Sequence, residues 1–202
     1  MIKTIFLVFV AMIVTFAIAV YVHLGAYKVP KVGMKMAPAM TLLYTTHVGP
    51  YNEVAPLMDK VQQWATEHNL TCEKTFGEYL DNPETTDQRR LQSRVGCVVD
   101  SRFAPKDLDK IVATGPYKIE RRLPGRYLWA SFDGSPSIGP FKVYPRMRKY
   151  ARVHHLKTAV ASLEVYTVQG SQSMTTDYYI AIQSAADAAP VPSAKKSSTA
   201  KQ

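Results

Sequence analysis

The sequence predicts an α+β fold, with two tandem strand-helix-strand-strand repeats around a central groove and one transmembrane helix before them. The same order of elements recurs after about 85 to 90 residues. In each copy, strands rich in β-branched and aromatic residues surround one amphipathic helix. A long uncharged apolar run at the amino terminus predicts the membrane segment. These features divide the chain into an anchor or signal peptide (1–26), a globular domain (27–183) and a disordered tail (184–202).

The amino-terminal apolar run spans residues 4–24, about the length needed to cross the hydrocarbon of a bilayer. We therefore expect the lipid bilayer to be a partner of this segment. A cleaved signal peptide is the alternative, because Lys3, the apolar run and Ala17-Ile18-Ala19 resemble the three parts of such a peptide. The run continues past Ala19 to a full span, which favours a single-pass anchor.

The sequence is compatible with two locations of the domain, the cytoplasm and a periplasm. Three lysines follow the segment, namely Lys28, Lys31 and Lys35, and their positive charge slightly favours the cytoplasmic side. A short amino-terminal tail that stays inside would instead deliver the domain to a periplasm. Cys72 and Cys97 allow either a disulfide in an oxidising compartment or two buried free thiols.

Six strands are predicted inside the domain from the density of β-branched and aromatic residues between turn-forming residues. They are Leu42–Thr46, Phe76–Leu80, Leu91–Val99, Tyr127–Phe132, Leu163–Val168 and Tyr178–Ile182. Asp81-Asn82-Pro83 is a strong turn signal between the second and third strands.

One helix is predicted in each repeat from apolar residues at three- and four-residue steps. The first helix follows Val54, and Pro56 suits its first turn, where no internal amide bond is lost. The second contains the weaker stripe of Ile138 and Met147. We expect Pro145 to limit how early regular helix begins there.

The charge of the chain is strongly basic, with 25 Lys and Arg against 16 Asp and Glu. This excess suits an anionic surface such as phospholipid headgroups. No nucleic-acid partner is expected, because no recognition motif accompanies the charge. The histidines and cysteines lack the paired spacing of a structural zinc site, so no metal site and no cofactor is predicted.

Three motifs of the repeats resemble a known family. They are HVGPY (residues 47–51), YLDNP (residues 79–83) and LEVY (residues 163–166). In this order the motifs resemble those of the GyrI-like small-molecule-binding domains, which also occur attached to bacterial multidrug-responsive regulators. The resemblance covers 27–183. It implies a GyrI-like fold made by duplication of an SHS2 unit, with a ligand groove between the two copies.

The resemblance also implies which residues bind the ligand. Glu164 matches the acidic residue of the family, and Tyr166, Trp129, Tyr44 and Tyr79 are the candidate aromatic walls. A carboxylate in an aromatic groove suits an apolar or cationic ligand, because ring faces attract cations and exclusion of water sharpens the attraction between charges. Ordinary packing on the sheet is the alternative for each aromatic side chain.

Two other functions remain open in the sequence. Some members of the family hydrolyse electrophilic compounds, which would use Glu164 and Tyr166 from one face of a strand, although no catalytic residue is predicted here. A basic run in the second helix (residues 142–157) also suits a membrane-surface adaptor. Membrane-anchored members of the family that mark endoplasmic reticulum for autophagy are similar in arrangement. The tail of those proteins binds the autophagy machinery through a motif that contains an aromatic residue. The tail of this chain has no aromatic residue, so the role is not expected here.

Overall fold

The computed structural model describes residues 2–100, 106, 108–169 and 173–183, so the predicted disordered tail lies outside the described residues. The helices are α1 (Ile2–His23), α2 (Ala55–Glu67), α3 (Leu108–Ala113) and α4 (Gly139–Val153). The strands are β1 (Lys31–Ala37), β2 (Met40–Val48), β3 (Lys74–Tyr79), β4 (Gln92–Val99), β5 (Lys118–Arg122), β6 (Gly125–Asp133), β7 (Thr158–Gln169) and β8 (Ser173–Ile182). Short 3₁₀ turns span Tyr51–Glu53 and Gln88–Arg90.

All eight strands form one antiparallel sheet in the order β1-β6-β8-β7-β3-β4-β2-β5. Replacing each strand by its counterpart in the other repeat reverses this order, so the two repeats are related by a pseudo-twofold axis between β3 and β7. The first strand of each repeat is exchanged. β1 pairs with β6, and β5 pairs with β2.

The predicted α+β class is confirmed, and the six predicted strands correspond to β2, β3, β4, β6, β7 and β8. The sequence did not reveal β1 and β5, because KVGMKMA and KIERR lack the density of β-branched and aromatic residues that marks the other strands. Each repeat is thus strand-strand-helix-strand-strand. Pro38 and Pro124 in the links disfavour a tight hairpin between the first two strands of a repeat.

The two long helices of the domain begin differently from one another. α2 begins at Ala55 with Pro56 in its first turn, as predicted. The expectation for Pro145 was wrong, because α4 begins at Gly139 and contains Pro145 in its interior. Pro145 lies on the exposed side of α4, and Val143 and Met147 on either side of it are fully buried. Their burial offsets the amide bond that the proline loses.

Both helices lie on the same face of the sheet, which we call the helix face. α2 buries Val61 and Ala65 in a core with Leu43, and α4 buries Val143 with Phe132. Burial of each large apolar side chain contributes about 1.5 to 3 kcal/mol. A second apolar layer covers the opposite face and contains Leu42, Phe76, Leu163 and Tyr179.

A disulfide bond joins Cys72 to Cys97, which answers a question that the sequence left open. The two Cα atoms are 5.6 Å apart. Cys97 lies on β4, and Cys72 lies between α2 and β3. The bond therefore fastens the connection after α2 to the sheet of the first repeat.

The amino-terminal helix α1 is long and apolar enough to span a membrane, and none of its residues is buried against the domain. It ends in a Schellman motif, in which the Ala26 amide donates to the Tyr21 carbonyl (3.0 Å) and the Gly25 amide donates to the Val22 carbonyl (2.9 Å). Gly25 has the positive φ of 70° that this motif requires.

Candidate functional site

The candidate site lies at the centre of the helix face, where β3 and β7 pair across the pseudo-twofold axis. Glu164 on β7 faces Gly77 on β3 and Tyr178 on β8. A Cβ atom at position 77 would lie 2.7 Å from the Tyr79 hydroxyl. Gly77 therefore leaves the space that the tyrosine hydroxyl occupies beside the glutamate.

Glu164 is held by tyrosine hydroxyls. Tyr144 on α4 donates to Glu164 Oε1 (2.5 Å), and Tyr166 donates to Glu164 Oε2 (3.0 Å). The Tyr79 and Tyr166 hydroxyls are 3.0 Å apart, and the Tyr144 hydroxyl is also 2.9 Å from Ser162 Oγ. These contacts connect both repeats through one hydrogen-bonded chain that has Glu164 in its middle.

The electrostatics of this chain favour a proton on the carboxyl group. Burial raises the pKa of Glu164 to about 7, although the hydrogen bonds from Tyr144 and Tyr166 oppose the shift. Burial and the charge of Glu164 also raise the pKa of Tyr144 and Tyr166 above their ordinary range, so both remain neutral donors. In the part of the chain that the structure describes, no lysine or arginine forms an ion pair with Glu164.

The carboxyl group of Glu164 is covered in this structure. Glu164 is only 3% exposed, and Tyr144 lies over it. Tyr144 also lines an adjacent cavity of about 140 Å³, together with Met147, Arg148 and Ile180. Sites for small organic ligands have volumes of roughly 300 to 1,000 Å³. A ligand that reaches Glu164 must therefore displace the Tyr144 side chain or shift α4.

The structure brings together three of the five residues that the sequence suggested, namely Glu164, Tyr166 and Tyr79. It does not bring Tyr44 and Trp129 to the same groove, because both lie on the opposite face of the sheet. Their neighbours Leu43 on β2 and Leu128 on β6 face the helices.

Tyr44 and Trp129 have structural partners on that opposite face. The Arg94 guanidinium lies 5.5 Å from the centre of the Tyr44 ring. The Trp129 indole donates to Asp177 Oδ1 (3.1 Å), and the Lys35 ammonium lies 4.6 Å from its ring centre.

Sequence reasoning missed Tyr144 and Tyr178, whose rings pack edge to face with centres 5.6 Å apart. The helical stripe of Val143 and Met147 places Tyr144 at the border of the buried face of α4, which is the signal that could have found it. Tyr178 required the register between β7 and β8, since its strand alone does not show that it lies opposite Glu164.

Two of the family-like motifs support the site without contacting Glu164. Tyr51 of the HVGPY motif packs its ring on Tyr79, with centres 4.7 Å apart, and its hydroxyl accepts the Asp81 amide (3.1 Å). Asp81 of the YLDNP motif accepts the Gln92 amide through Oδ2 (2.7 Å). Gly49 allows this turn with a φ of 143°. The motifs therefore position Tyr79.

A metal centre finds no support within the described ranges, since these contain no group of three or more His, Cys, Asp or Glu side chains suitable for a metal ion. The donors around Glu164 are tyrosine hydroxyls and a serine hydroxyl.

A family model described as the GyrI-like small molecule binding domain matches residues 30–183, in agreement with the resemblance drawn from the motifs. A DNA gyrase inhibitor from Pectobacterium carotovorum subsp. carotovorum (strain PC1) is 28% identical over 92 residues. The match covers 43% of this chain and 60% of that relative, so the chain spans about three fifths of the relative's length.

Solved structures share the fold at low sequence identity. The EcmrR C-terminal domain is 12% identical with a TM-score of 0.56, over 77% of this chain and 99% of that chain. EcmrR in a complex with DNA is also 12% identical, with a TM-score of 0.57 over 90% of this chain and 68% of that chain. A conserved protein from Listeria innocua is 11% identical with a TM-score of 0.51, over 77% and 92% of the two chains. At these identities the likeness shows the fold alone.

Proposed function

The chain belongs to the GyrI-like small molecule binding domain family, and we propose that it binds a small apolar cation between its two repeats, against Glu164. The observation that carries this proposal is a buried carboxyl group whose hydrogen-bond partners are tyrosine hydroxyls instead of cationic side chains. Buried charges in proteins are normally paired. A cationic ligand would supply the missing partner.

The surroundings of Glu164 suit such a ligand. A cation beside the carboxylate gains Coulomb attraction that strengthens as water is excluded, and the ring faces of Tyr79 and Tyr144 add cation-π attraction. The pKa of Glu164, about 7, leaves the group partly protonated near neutral pH. Binding of a cation then favours loss of that proton, so the affinity for the ligand depends on pH.

Ligand entry requires a change at Tyr144. The cavity beside it is too small for a ligand of ordinary size, and Tyr144 both lines this cavity and donates a hydrogen bond to Glu164. Outward rotation of the Tyr144 side chain would join the cavity to the space above the carboxyl group. The protein would thus close over Glu164 when empty and open when the ligand displaces the tyrosine hydroxyl.

Two probes of similar size and opposite charge test the proposal, namely tetraphenylphosphonium and tetraphenylborate. Their binding to the full chain in nanodiscs of neutral lipid would be measured by equilibrium dialysis, beside the same nanodiscs carrying Glu164→Gln. We expect saturable binding of the cation, weakened about tenfold or more by Glu164→Gln, which corresponds to about 1.4 kcal/mol or more. Binding of the anion should not respond to the substitution.

Glu73→Gln is the matched control, because Glu73 is exposed and carries the same charge. Partition of both probes into lipid is common to all variants and cancels in the comparison. Equal binding of the cation to the wild type, Glu164→Gln and Glu73→Gln would refute the proposed site.

We further propose that α1 anchors the domain in a bilayer as a single-pass segment. Its length and apolar composition support this, and a cleaved signal peptide satisfies the same criteria. The mass of the mature protein purified from membranes distinguishes the two. An anchor predicts an intact amino terminus and resistance to alkaline extraction, whereas cleavage after Ala19 removes most of α1.

Hydrolysis of an electrophilic small molecule is the second candidate function. The observation that favours it is the carboxyl group of Glu164, with a pKa near neutrality and with the Tyr166 hydroxyl 3.0 Å away. Such a group can accept a proton from an attacking water while the tyrosine donates one to a leaving oxygen. Incubation with styrene oxide, followed by mass spectrometry, should then give the diol with the wild type and not with Glu164→Gln. Unchanged styrene oxide would argue against this chemistry.

A further inference from the structure

The membrane helix and the domain are joined without a free linker. The 22 residues of α1 extend about 33 Å, close to the roughly 30 Å of a bilayer hydrocarbon core. One residue after α1, the Leu24 carbonyl accepts a hydrogen bond from the Ser135 amide (3.0 Å), in the loop between β6 and α4. If α1 spans the bilayer, this loop and the first turn of α4 lie at the depth of the lipid headgroups.

Lys142 on α4 fixes this junction. Its ammonium donates to the carbonyls of Ala26 and of Lys28, the latter at 2.5 Å. Gly25 packs so closely on the loop that a Cβ atom there would lie 3.1 Å from both the Asp133 carbonyl oxygen and the Gly134 Cα atom. The domain therefore has one orientation relative to α1, instead of a range of orientations on a tether.

Apolar side chains surround the junction on its outer side. Phe141 is 81% exposed, although it is next to Lys142, and Tyr27 and Val29 are also exposed next to the residues that Lys142 contacts. Single exposed apolar residues are common on proteins. Three of them around the exit of an apolar helix match the interfacial region of a bilayer, where aromatic rings are enriched.

Basic side chains continue this surface along α4. Arg146 donates to the Lys142 carbonyl (3.0 Å), which keeps the guanidinium on the side of α4 that faces the junction. Lys149 follows one turn later and is exposed. α4 contains no acidic residue. The charge is therefore complementary to anionic phospholipid headgroups.

We propose that Tyr27, Val29, Phe141, Arg146 and Lys149, called here the junction surface, dock on an anionic lipid bilayer and hold the domain flat against it. This inference rests on the proposed anchoring by α1 and is independent of the ligand at Glu164. The apolar members enter the headgroup region, and the basic members contact lipid phosphates. This contact fixes the orientation of the domain on the membrane surface and the distance between its groove and the lipid.

Tryptophan placed on the junction surface tests the inference in the full chain. Phe141→Trp is compared with Leu123→Trp, whose position is 83% exposed and lies beyond the opposite end of β6, about 27 Å from the junction. Both variants are reconstituted in nanodiscs with brominated acyl chains, made of phosphatidylcholine alone or mixed with phosphatidylglycerol. The wild type provides the emission of Trp64 and Trp129 for subtraction.

We expect bromine to quench the added emission of Phe141→Trp and to leave that of Leu123→Trp unchanged. The paired charge reversals Arg146→Glu and Lys149→Glu should reduce the quenching of Phe141→Trp in anionic nanodiscs more than in neutral ones. High salt should reduce it in the same way.

Each other outcome overturns a defined part of the inference. Absence of quenching in Phe141→Trp would show that the junction surface does not meet lipid, and equal quenching in Phe141→Trp and Leu123→Trp would show that lipid contact is not specific to this surface. Quenching that is the same in both lipid mixtures and insensitive to charge reversal would remove the anionic partner. Failure of the chain to enter nanodiscs would overturn both the anchor and the docking, and binding at Glu164 would then be measured with the same two probes on the full chain without nanodiscs.

Discussion

Each repeat of the domain buries one glutamate on its third strand, and the two have opposite surroundings. Glu78 on β3 is 8% exposed, and it lies 2.6 Å from Arg122 and 3.6 Å from Arg94. Glu164 on β7 is 3% exposed, and among the described residues its hydrogen bonds come from the tyrosine hydroxyls of Tyr144 and Tyr166. The two glutamates are not directly opposite each other on β3 and β7, because Glu78 pairs with Leu163, the residue before Glu164.

Burial of a carboxylate is therefore not sufficient to mark a functional site. Strand exchange brings β5 beside β2, and β5 supplies Arg122 as well as Glu120, which bonds both arginines at 2.8 Å. The first repeat therefore pairs its buried charge within the protein, and it also carries the disulfide. Within the residues that the structure describes, the glutamate of the second repeat has no cationic partner, and we expect this half to respond to ligand and to pH.

Loss of the disulfide tests the role of the first repeat as the rigid half. Cys72 and Cys97 are 25 residues apart, and a closed loop of this size stabilises a fold by about 3.5 kcal/mol. Reduction, or the paired substitutions Cys72→Ser and Cys97→Ser, should lower the free energy of unfolding by that amount in chemical denaturation. An unchanged denaturation midpoint would show that the bond is not formed in the isolated protein.

Glu78→Gln tests the paired glutamate. Arg122 would remain mostly buried with Glu120 as its single carboxylate partner, so we expect the free energy of unfolding to fall by about 3 kcal/mol. The exposed Glu84→Gln should change it by less than about 0.5 kcal/mol. Binding of tetraphenylphosphonium by the folded fraction should not change. A loss of less than about 1 kcal/mol would contradict the structural role of Glu78.

Glu164→Gln should have the opposite effect on stability. The pKa of Glu164 is about 7 in the folded chain and near 4.5 when unfolded, so the folded state binds more protons between these values. The contribution of Glu164 to stability is complete below about pH 4.5 and is lost as the pH rises through about 7. Near pH 8 the glutamine variant should therefore be more stable than the wild type by about 3 kcal/mol, with little difference near pH 4.5.

Thermal or chemical denaturation at the two pH values measures this gain. Glu78→Gln serves as the comparison, since it should destabilise the protein near pH 8. If Glu164→Gln destabilised the protein equally at both pH values, Glu164 would be a structural residue like Glu78.

Tyr144→Phe gives the smallest expected effect and addresses the tyrosine cover directly. The hydroxyl donates to the carboxylate form of Glu164, so its removal should raise the pKa of Glu164 by about one unit. Tetraphenylphosphonium binding should strengthen as the pH rises and level off above this pKa. The midpoint should move upward in Tyr144→Phe and stay in place in Tyr150→Phe, six residues further along α4. Identical midpoints would mean that Tyr144 does not control the proton on Glu164.

Much of the fold was predictable from periodicity. Six of the eight strands, both long helices of the domain and the apolar helix α1 follow from local patterns, and Glu164 and Tyr166 were expected on one face of one strand. The expectation for Pro145 was wrong because it considered only the cost of a proline inside a helix. The burial of Val143 and Met147 around Pro145 offsets that cost. The pairing of Cys72 with Cys97 also required their positions in space.

The repeated elements, the acidic residue with a tyrosine two positions later, and the apolar helix at the amino terminus all follow from the amino-acid sequence. Which face of each strand meets the helices depends on the fold, and with it the placing of Tyr44 and Trp129 away from Glu164 and of Tyr144 and Tyr178 beside it. Alternation along a strand defines two faces from local order alone, whereas the pairing of distant strands sets what covers each face.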